Sequence, residues 1–515
     1  MRKLLACAVI LSVAFAANSA ETKQKECILF NKSYGKKLVQ SKDGVTLWRA
    51  SSGWKVSQDR PTPGGRAKAI EISAAKNESE AAQLIVNSDH VLKGFIAKCS
   101  DLRDKDGNEI PANRIDVLRV RYVFTERPSD STGAKAWWPD PLPPFKKPID
   151  IEAQKNQPLW VRAHVPADAK TGLYEGEITL TAEGYEVKVP LKLTVFNFAL
   201  PDRLTCTTAF GFSHENIFEY QKISDPEQRK EVIGKYFESF RDHHISPYDP
   251  EVSANYKVTS WRKLGPNEGA DLSPEERKLY QEQELTPVFD WADWDKDVLS
   301  SFDKHHFSTM RLGIPGVGDP VKDKLDPEYL KFKSYCIQLQ EHLRQIGLLD
   351  EAYLYWVDEP MAKDYPDVLA GFQKIKEVAP DINRMLTEQP EPGLYGGPNI
   401  WCPLTPAFRV EKAKERNAAG EKMWWYVCTV PKTPFAGLFI DHPATDFRVW
   451  LWQTWKYNIE GILIWHSNLW TTSDAYPDSN QNPYEDPMSW MHGYGTKRGE
   501  KRPWGNGDGR FMYPP

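Results

Sequence analysis

The sequence lacks most of the signatures that would place it quickly. Only seven of its 515 residues are Cys, and neither a CxxC nor an HExxH motif occurs, so a thiol-rich or zincin-type metal site is not expected. Positive charge is not in excess either: 66 Lys and Arg stand against 71 Asp and Glu, for a formal net charge of −5. A mildly acidic chain with no basic stripe argues against nucleic acid as the main partner. Beyond residue 20 no stretch reaches the ~18 consecutive apolar residues of a membrane span, so none is expected. Familiar catalytic motifs are incomplete. Gly211-Phe212-Ser213-His214-Glu215 lacks the second Gly of a nucleophile elbow. Gly316-Val317-Gly318 has neither the third Gly nor the following helix of a dinucleotide site. Asp478-Ser479-Asn480-Gln481-Asn482 begins like a calcium loop, but Pro483 and Ser489 take the Gly and Glu positions. The pairs His243-His244 and His305-His306 lack ligand spacing. No metal and no cofactor is expected.

What the chain does have is aromatic rings and proline: 19 Trp, 21 Tyr and 39 Pro. Flat, half-apolar rings suit stacking on sugars, and they suit a large aromatic core equally well. With 40% hydrophobic and 27% charged residues, the composition is that of packed domains rather than of disorder. The length gives roughly three folding units, or two if one is a large barrel. Met1-Arg2-Lys3, the apolar run Leu4 to Phe15 and the Ala-rich residues after it read as an export signal over 1–20. The mature chain is therefore expected to be secreted or periplasmic. Six Cys remain after cleavage, and their wide spacings identify no disulfide pairing.

From 21 to 200 the pattern is one of short alternating segments separated by Gly, Pro, Asn and Asp. Ala69 to Ser73, Gln83 to Val86 and Pro158 to Val165 read as strands. Gly176 to Thr181 and Glu186 to Leu193 read as a hairpin across Glu183-Gly184. Regular short strands of this kind predict a β-sandwich. Trp137 to Pro148 reads as an irregular loop. After Leu200-Pro201 the period changes. Asp225-Pro226 and Asp326-Pro327 each open an amphipathic helix, the second stopping at Gly347. Apolar strand-like runs lie at Thr205 to Phe212, Phe307 to Leu312, Ala352 to Val357, Ile382 to Leu386, Met423 to Val427 and Gly461 to Trp465. Strands alternating with helices over 201–515 predict an α/β barrel with its working face at the strands' C-terminal ends; an open α/β sheet is the alternative. No amphipathic helix follows Trp465.

The segment Tyr353-Leu354-Tyr355-Trp356-Val357-Asp358-Glu359-Pro360 carries most chemical weight. An apolar strand ends in two adjacent carboxylates, and Pro360 is expected to hold Glu359 extended. Neighbouring strand residues face opposite ways, so both acids address one pocket only if the strand has already ended at Asp358. An apolar, desolvated setting would keep one carboxyl protonated while a solvated neighbour stays ionised. The plainer alternative is a loop in which Asp358 caps a helix and Glu359 is solvated. Other polar and aromatic residues fall at the same predicted rim: His214, Arg311, Glu388, Trp465 and Asn468 with Trp470. Trp356 and Tyr426 are further candidates to bind substrate. Trp424, Trp425, Trp450, Trp452 and Trp455 divide between core and sugar platform.

Several of these motifs occur together in one family. Asn77-Glu78-Ser79-Glu80, the run Pro166 to Gly176, His244-Ile245-Ser246-Pro247, Asp358-Glu359-Pro360, Gly461 to Trp465 and Gly507-Asp508-Gly509 appear in the family's order. In them the chain resembles glycoside hydrolase family 123 and the related domain-of-unknown-function 4091 proteins. The resemblance implies an N-terminal β-sandwich followed by a (β/α)8 barrel. It also implies retaining hydrolysis of terminal β-linked N-acetylgalactosamine, assisted by the substrate's own acetamido group. In that scheme Asp358 orients and polarises the acetamido group, and Glu359 protonates the leaving oxygen and then deprotonates water. Relatives continue past Gly507-Asp508-Gly509 into a helix, whereas this sequence stops at Pro514-Pro515, so the last outer helix is expected to be missing. Two alternatives stay open: a glycosidase for another glycan with Glu388 as nucleophile, and a secreted glycan-binding protein without catalysis.

Overall fold

The computed structural model describes residues 27–252 and 255–515; the export signal expected over 1–20 lies outside them. By internal contacts the chain forms two compact units. The first takes the described residues up to Asp202 together with Lys432–Trp450 and Trp470–Pro515. The second takes Arg203–Pro431 and Leu451–Leu469.

In the first unit, alternation builds sheets. Along Ile70–Lys76 the side chains of Ile70, Ile72 and Ala74 turn inward while Glu71 stays exposed. The longest pair, Gly172–Ala182 with Tyr185–Ala199, turns at Glu183-Gly184, where Gly184 sits at φ +70°. That pair extends through Leu92–Cys99 on one side and, in parallel, through Ile70–Lys76 on the other. A six-stranded sheet centred on Val45–Ser51, Ser79–Ser88 and Asn156–His164 shares one apolar core with it, including Leu47, Ile72, Leu84, Phe95, Leu159, Ile178 and Leu191. Residues expected to form an irregular loop contribute a strand, Ala136–Pro139, because it finds a partner in Tyr122–Thr125.

In the second unit, seven short strands form a parallel sheet. In chain order they are Thr207–Phe210, Met310–Leu312, Ala352–Tyr355, Asn383–Leu386, Ile400–Trp401, Lys422–Tyr426 and Gly461–Ile464, the first to seventh barrel strands. The first and seventh are neighbours, and the second lies at the far end of the hydrogen-bonded order. Residues 246–248 bridge the gap without forming a strand. Phe210 N donates to Ser246 O (2.9 Å), Tyr248 N to Phe210 O (2.8 Å), and Arg311 N to Tyr248 O (2.7 Å). Pro247 has no N–H for a ladder and meets Phe210 only as an isolated bridge. The helices begin where the sequence puts them: Asp225 caps Pro226–Asp242 by accepting from Gln228 N at 2.8 Å, and Ile233, Phe237 and Phe240 are buried.

The expected fold class therefore needs correcting. The parallel sheet is a nearly closed barrel of seven strands, not an eight-fold (β/α)8 arrangement. Eight α-helices occur among the described residues, none of them after the seventh strand. The first unit is not a plain sandwich either. Its two large sheets are mixed, and it carries two further strand pairs, one of them (Met488–Trp490 with Pro503–Asn506) from the end of the chain. Among the described residues there is no disulfide, and no helix is long and apolar enough to cross a membrane.

Candidate active site

The third barrel strand explains the placing of the acids. Its odd-numbered Tyr353 and Tyr355 point into the barrel, among Tyr248, Met385, Cys402, Trp424, Tyr426 and Leu463. Trp356 faces the other way. It meets Phe372 edge-on at 5.6 Å and lies against Gly371 and Gly318, where a Cβ would come within 2.6 and 2.9 Å of its ring. Trp356 is thus occupied in packing a helix and a loop against the strand.

The strand stops at Tyr355, three residues before Asp358. Glu359 is left-handed, at φ +42°, rather than extended as expected from Pro360. For a non-Gly residue this costs roughly 1–2 kcal/mol. It lets two successive acids escape the opposite facing that a regular strand imposes. Hydroxyl groups from three barrel strands or their ends then hold them. Tyr355 and Thr387 each donate to Asp358 Oδ1 at 2.7 Å. Thr387 Oγ1 also accepts the backbone N–H of Glu359 at 3.0 Å. Tyr426, at the end of the sixth strand, donates to Glu359 Oε1. Asp358 Oδ2 makes no hydrogen bond among the described residues. Both acids are exposed residues, so the desolvated setting expected from the sequence is absent. Donors bonded to the carboxylates set their orientation instead.

Burial acts on the acids nearby. Glu388 follows Thr387 directly; its carboxyl is pushed up by burial and by the negative charges of Glu391 and Glu359, against the N–H of Gln389 and its bond to Tyr365. Glu251, three residues past the 246–248 bridge, is pushed up to about 7 by burial and by Asp249, with Arg311 working in the opposite direction. Arg311 grips Asp249 through two bonds of 3.1 and 2.7 Å, and its guanidinium lies 5.2 Å from the centre of the Tyr248 ring. Tyr248 in turn meets Tyr355 edge-on at 6.2 Å, so packing connects Arg311 to the hydroxyl that holds Asp358. His214 sits among Phe212, Phe218 and Phe237, and burial pulls its imidazole down to about 4. It is a neutral ring whose Nε2 has no hydrogen-bond partner.

The segment after the seventh strand is spent largely on structure. Asn468 is fully buried, accepting from Ser213 N (3.0 Å) and donating to Ser213 O (2.8 Å), which ties the end of the last barrel strand to the end of the first. Trp465 is half-buried, and its carbonyl oxygen would lie 1.8 Å from a Cβ at Gly211. Trp470 belongs to the first unit, where its Nε1 donates to Met512 O at 2.7 Å. Of the other tryptophans, Trp424 lines the barrel core, Trp425 donates to Thr454, and Trp450 is buried. Trp452 and Trp455 are 72% and 79% exposed. The structure therefore brings together Asp358, Glu359 and Tyr426 through direct bonds, with Glu388 adjoining. Tyr355, Thr387, Asp249 and Glu251 join them without having been singled out as site residues. The signal for Thr387 was strand register: Tyr355 pairs with Met385, which puts Thr387 two residues further along the next strand, at the level of Val357. No group of three or more His, Cys, Asp or Glu among the described residues is placed to hold a metal ion.

Comparison with known proteins agrees with the arrangement. Residues 50–182 match the glycoside hydrolase 123 N-terminal domain, and residues 320–515 match the glycoside hydrolase 123 catalytic domain. Among solved structures, the chain is similar to a family 123 glycoside hydrolase from Clostridium perfringens studied for glycolipid glycan hydrolysis. The TM-score is 0.62 at 16% identity, over 92% of this chain and 83% of that one. At that identity the likeness speaks for the fold. A protein from Galdieria sulphuraria provisionally assigned as a glycerophosphodiester phosphodiesterase (TM-score 0.21, 8% identity, 34% of this chain and 60% of that one) is too distant to carry an argument. So is the fimbrial subunit MyfA of Yersinia enterocolitica (TM-score 0.15, 9% identity, 25% and 91%). No curated protein matches the sequence.

Proposed function

Because the chain belongs to glycoside hydrolase family 123, we propose that it is an exo-acting β-N-acetylgalactosaminidase that works with retention and uses the substrate's own 2-acetamido group as nucleophile. The observation that carries this reading is the hydroxyl cage around two consecutive acids. Asp358 has one oxygen bonded by Tyr355 and Thr387 and the other without a hydrogen-bond partner among the described residues. That second oxygen accepts the acetamido N–H. The acetamido oxygen, made more nucleophilic, bonds to the anomeric carbon as the glycosidic C–O bond breaks. Glu359 gives its proton to the departing oxygen. It then takes a proton from water as the water oxygen bonds to the anomeric carbon and the oxazoline ring opens. Asp358 stays anionic throughout and balances the positive charge that develops on the ring. Tyr426 keeps the Glu359 carboxyl aimed.

A protein nucleophile would need an ionised carboxylate, and burial together with the negative charges of Glu391 and Glu359 pushes the half-buried Glu388 carboxyl up, against that role. Terminal β-N-acetylgalactosamine on a glycolipid is the first natural substrate class to try, given the glycans hydrolysed by the Clostridium relative. The charged start and apolar run of residues 1–20 support action outside the cytoplasm.

Hydrolysis of aryl β-N-acetylgalactosaminides, with matched sugars lacking the 2-acetamido group as controls, tests the reading. Asp358→Asn is expected to lower kcat by about 10²–10³-fold. Glu359→Gln is expected to lose at least as much on leaving groups that need protonation, and less on activated phenols. A thiazoline mimic of the intermediate should inhibit. Turnover of sugars without the acetamido group, or full activity in Asp358→Asn, would remove the substrate-assisted mechanism.

A further inference from the structure

We infer that Thr387 is the positioning residue that fixes the two acids relative to each other, acting through both at once. The inference rests on the reading of Asp358 and Glu359 as the reacting pair. A threonine hydroxyl has one hydrogen to donate and two lone pairs that accept. Thr387 spends the hydrogen on Asp358 Oδ1 at 2.7 Å and one lone pair on the Glu359 backbone N–H at 3.0 Å. It touches the side chain of one acid and the main chain of the other. Tyr355 and Tyr426 each reach a single acid.

The second bond has particular weight because Glu359 occupies the left-handed region, at φ +42°. A non-Gly residue holds that conformation only where its surroundings over-determine it. Thr387 anchors its N–H on one side and Pro360 restricts the chain on the other. Releasing the N–H lets Glu359 relax towards an extended conformation, which swings its carboxyl away from the face shared with Asp358. The same change removes one of the two donors on Asp358 Oδ1 and lets that carboxylate rotate about its remaining bond to Tyr355. Thr387 is only 3% exposed and sits on the adjacent barrel strand's end, so the anchor is rigid. So little of its surface is exposed that its role differs from that of a group that binds sugar.

The two functions of the hydroxyl make the substitutions informative. Thr387→Val keeps the shape and removes both bonds; Thr387→Ser keeps both bonds and removes a methyl group. Tyr355→Phe removes one donor from Asp358 and leaves Glu359 anchored. Assayed on whichever aryl glycoside the unaltered protein hydrolyses fastest, Thr387→Val is expected to lose about 10²-fold in kcat with KM changed less than about threefold. That is the penalty of roughly ångström-scale misplacement of reacting groups. Thr387→Ser should stay within about threefold of the unaltered protein, and Tyr355→Phe should fall between the two. Melting temperatures of all three should stay close together, so that a folding defect is visible as such. Crystal structures of the variants give a readout independent of turnover: in Thr387→Val, Glu359 should leave positive φ and Asp358 should turn. Turnover in Thr387→Val near that of the unaltered protein, an equal loss in Thr387→Ser, or unmoved acids in the Thr387→Val structure would each overturn the inference. The test does not depend on the sugar. If a glycoside without the acetamido group proves to be the substrate, the substrate-assisted reading falls, and the comparison of Val with Ser still decides the role of Thr387.

Discussion

At the scale of single residues, Glu251 is an acid near the candidate site that its surroundings affect strongly. Burial and the negative charge of Asp249 push its carboxyl from the usual 4.5 up to about 7. Between those two values the folded chain binds more protons than the unfolded one, so stability falls as pH rises through the window. Glu251→Gln has no charge to bury and removes that dependence. The variant is expected to gain on the original as pH is raised from 4.5 to 7, by an amount on the order of 2 kcal/mol, and to hold the gain above 7. Urea unfolding at pH 4.5 and at pH 8 reads the difference; an equal offset at both values would mean that Glu251 is not held protonated. The contrast with Asp358 and Glu359 is instructive. The position of the two acids at a strand's end was legible in the sequence, because an apolar run leads directly into two carboxylates and a Pro. The means of holding it was not. Hydroxyls are common at strand ends, and Thr387 stands out only once the register of the third and fourth barrel strands brings it beside Val357 and Asp358.

At the scale of elements, apolar runs marked six of the seven barrel strands and the Asp-Pro starts marked two helices. Longer elements such as Val45–Ser51, Leu92–Cys99 and Ala292–His305 went unmarked, and one barrel strand is defined by contacts rather than pattern. Ile400–Trp401 is two residues long, too short to show a period, yet it occupies a full place in the barrel between its neighbours. The stretch 246–248 has the opposite character. It takes the place of a barrel strand, but Pro247 removes the N–H a ladder would need, so it is held by three backbone bonds and by Ser246, whose N–H donates to Thr208 Oγ1 and whose Oγ accepts from Ser308 N, both at 2.8 Å. Closure on the other side of the first strand relies on its register with the seventh and on Asn468, whose amide satisfies both backbone groups of Ser213. Leaving these groups unmet in a buried place costs about 1–3 kcal/mol each. Asn468→Ala is therefore expected to destabilise the protein by about 2 kcal/mol or more in chemical denaturation, while KM of the folded fraction stays unchanged. A selective rise in KM without loss of stability would return Asn468 to the role of a sugar ligand.

At the scale of the whole molecule, the chain divides at Asp202, beside the change in residue pattern, and then twice returns to its first unit. The last segment, Trp470–Pro515, folds with the first unit, as does Lys432–Trp450. Ser129 shows how tightly these distant stretches are joined. Its N–H and hydroxyl both donate to Asp441, at 2.6 and 2.5 Å, while its Oγ accepts from Asn506 N at 2.8 Å. Asn506 also donates to Arg127 O at 2.9 Å, and Tyr513 donates to Asp140 at 2.7 Å. Nothing in the composition of 470–515 announces this, because the bonds pair single polar residues separated by more than 300 positions. A consequence can be tested by shortening the chain. A protein ending at Leu469 keeps all seven barrel strands. It nevertheless loses Asn506 and Tyr513, and with them one bond each to Ser129 Oγ, Arg127 O and the Asp140 carboxylate, although Ser129 keeps Asp441. Limited proteolysis of the shortened chain is expected to cut within 120–145 well before any site in 203–431, with the full-length protein resistant at both. Equal resistance of 120–145 in the two proteins would show that the first unit holds together without its returning segment.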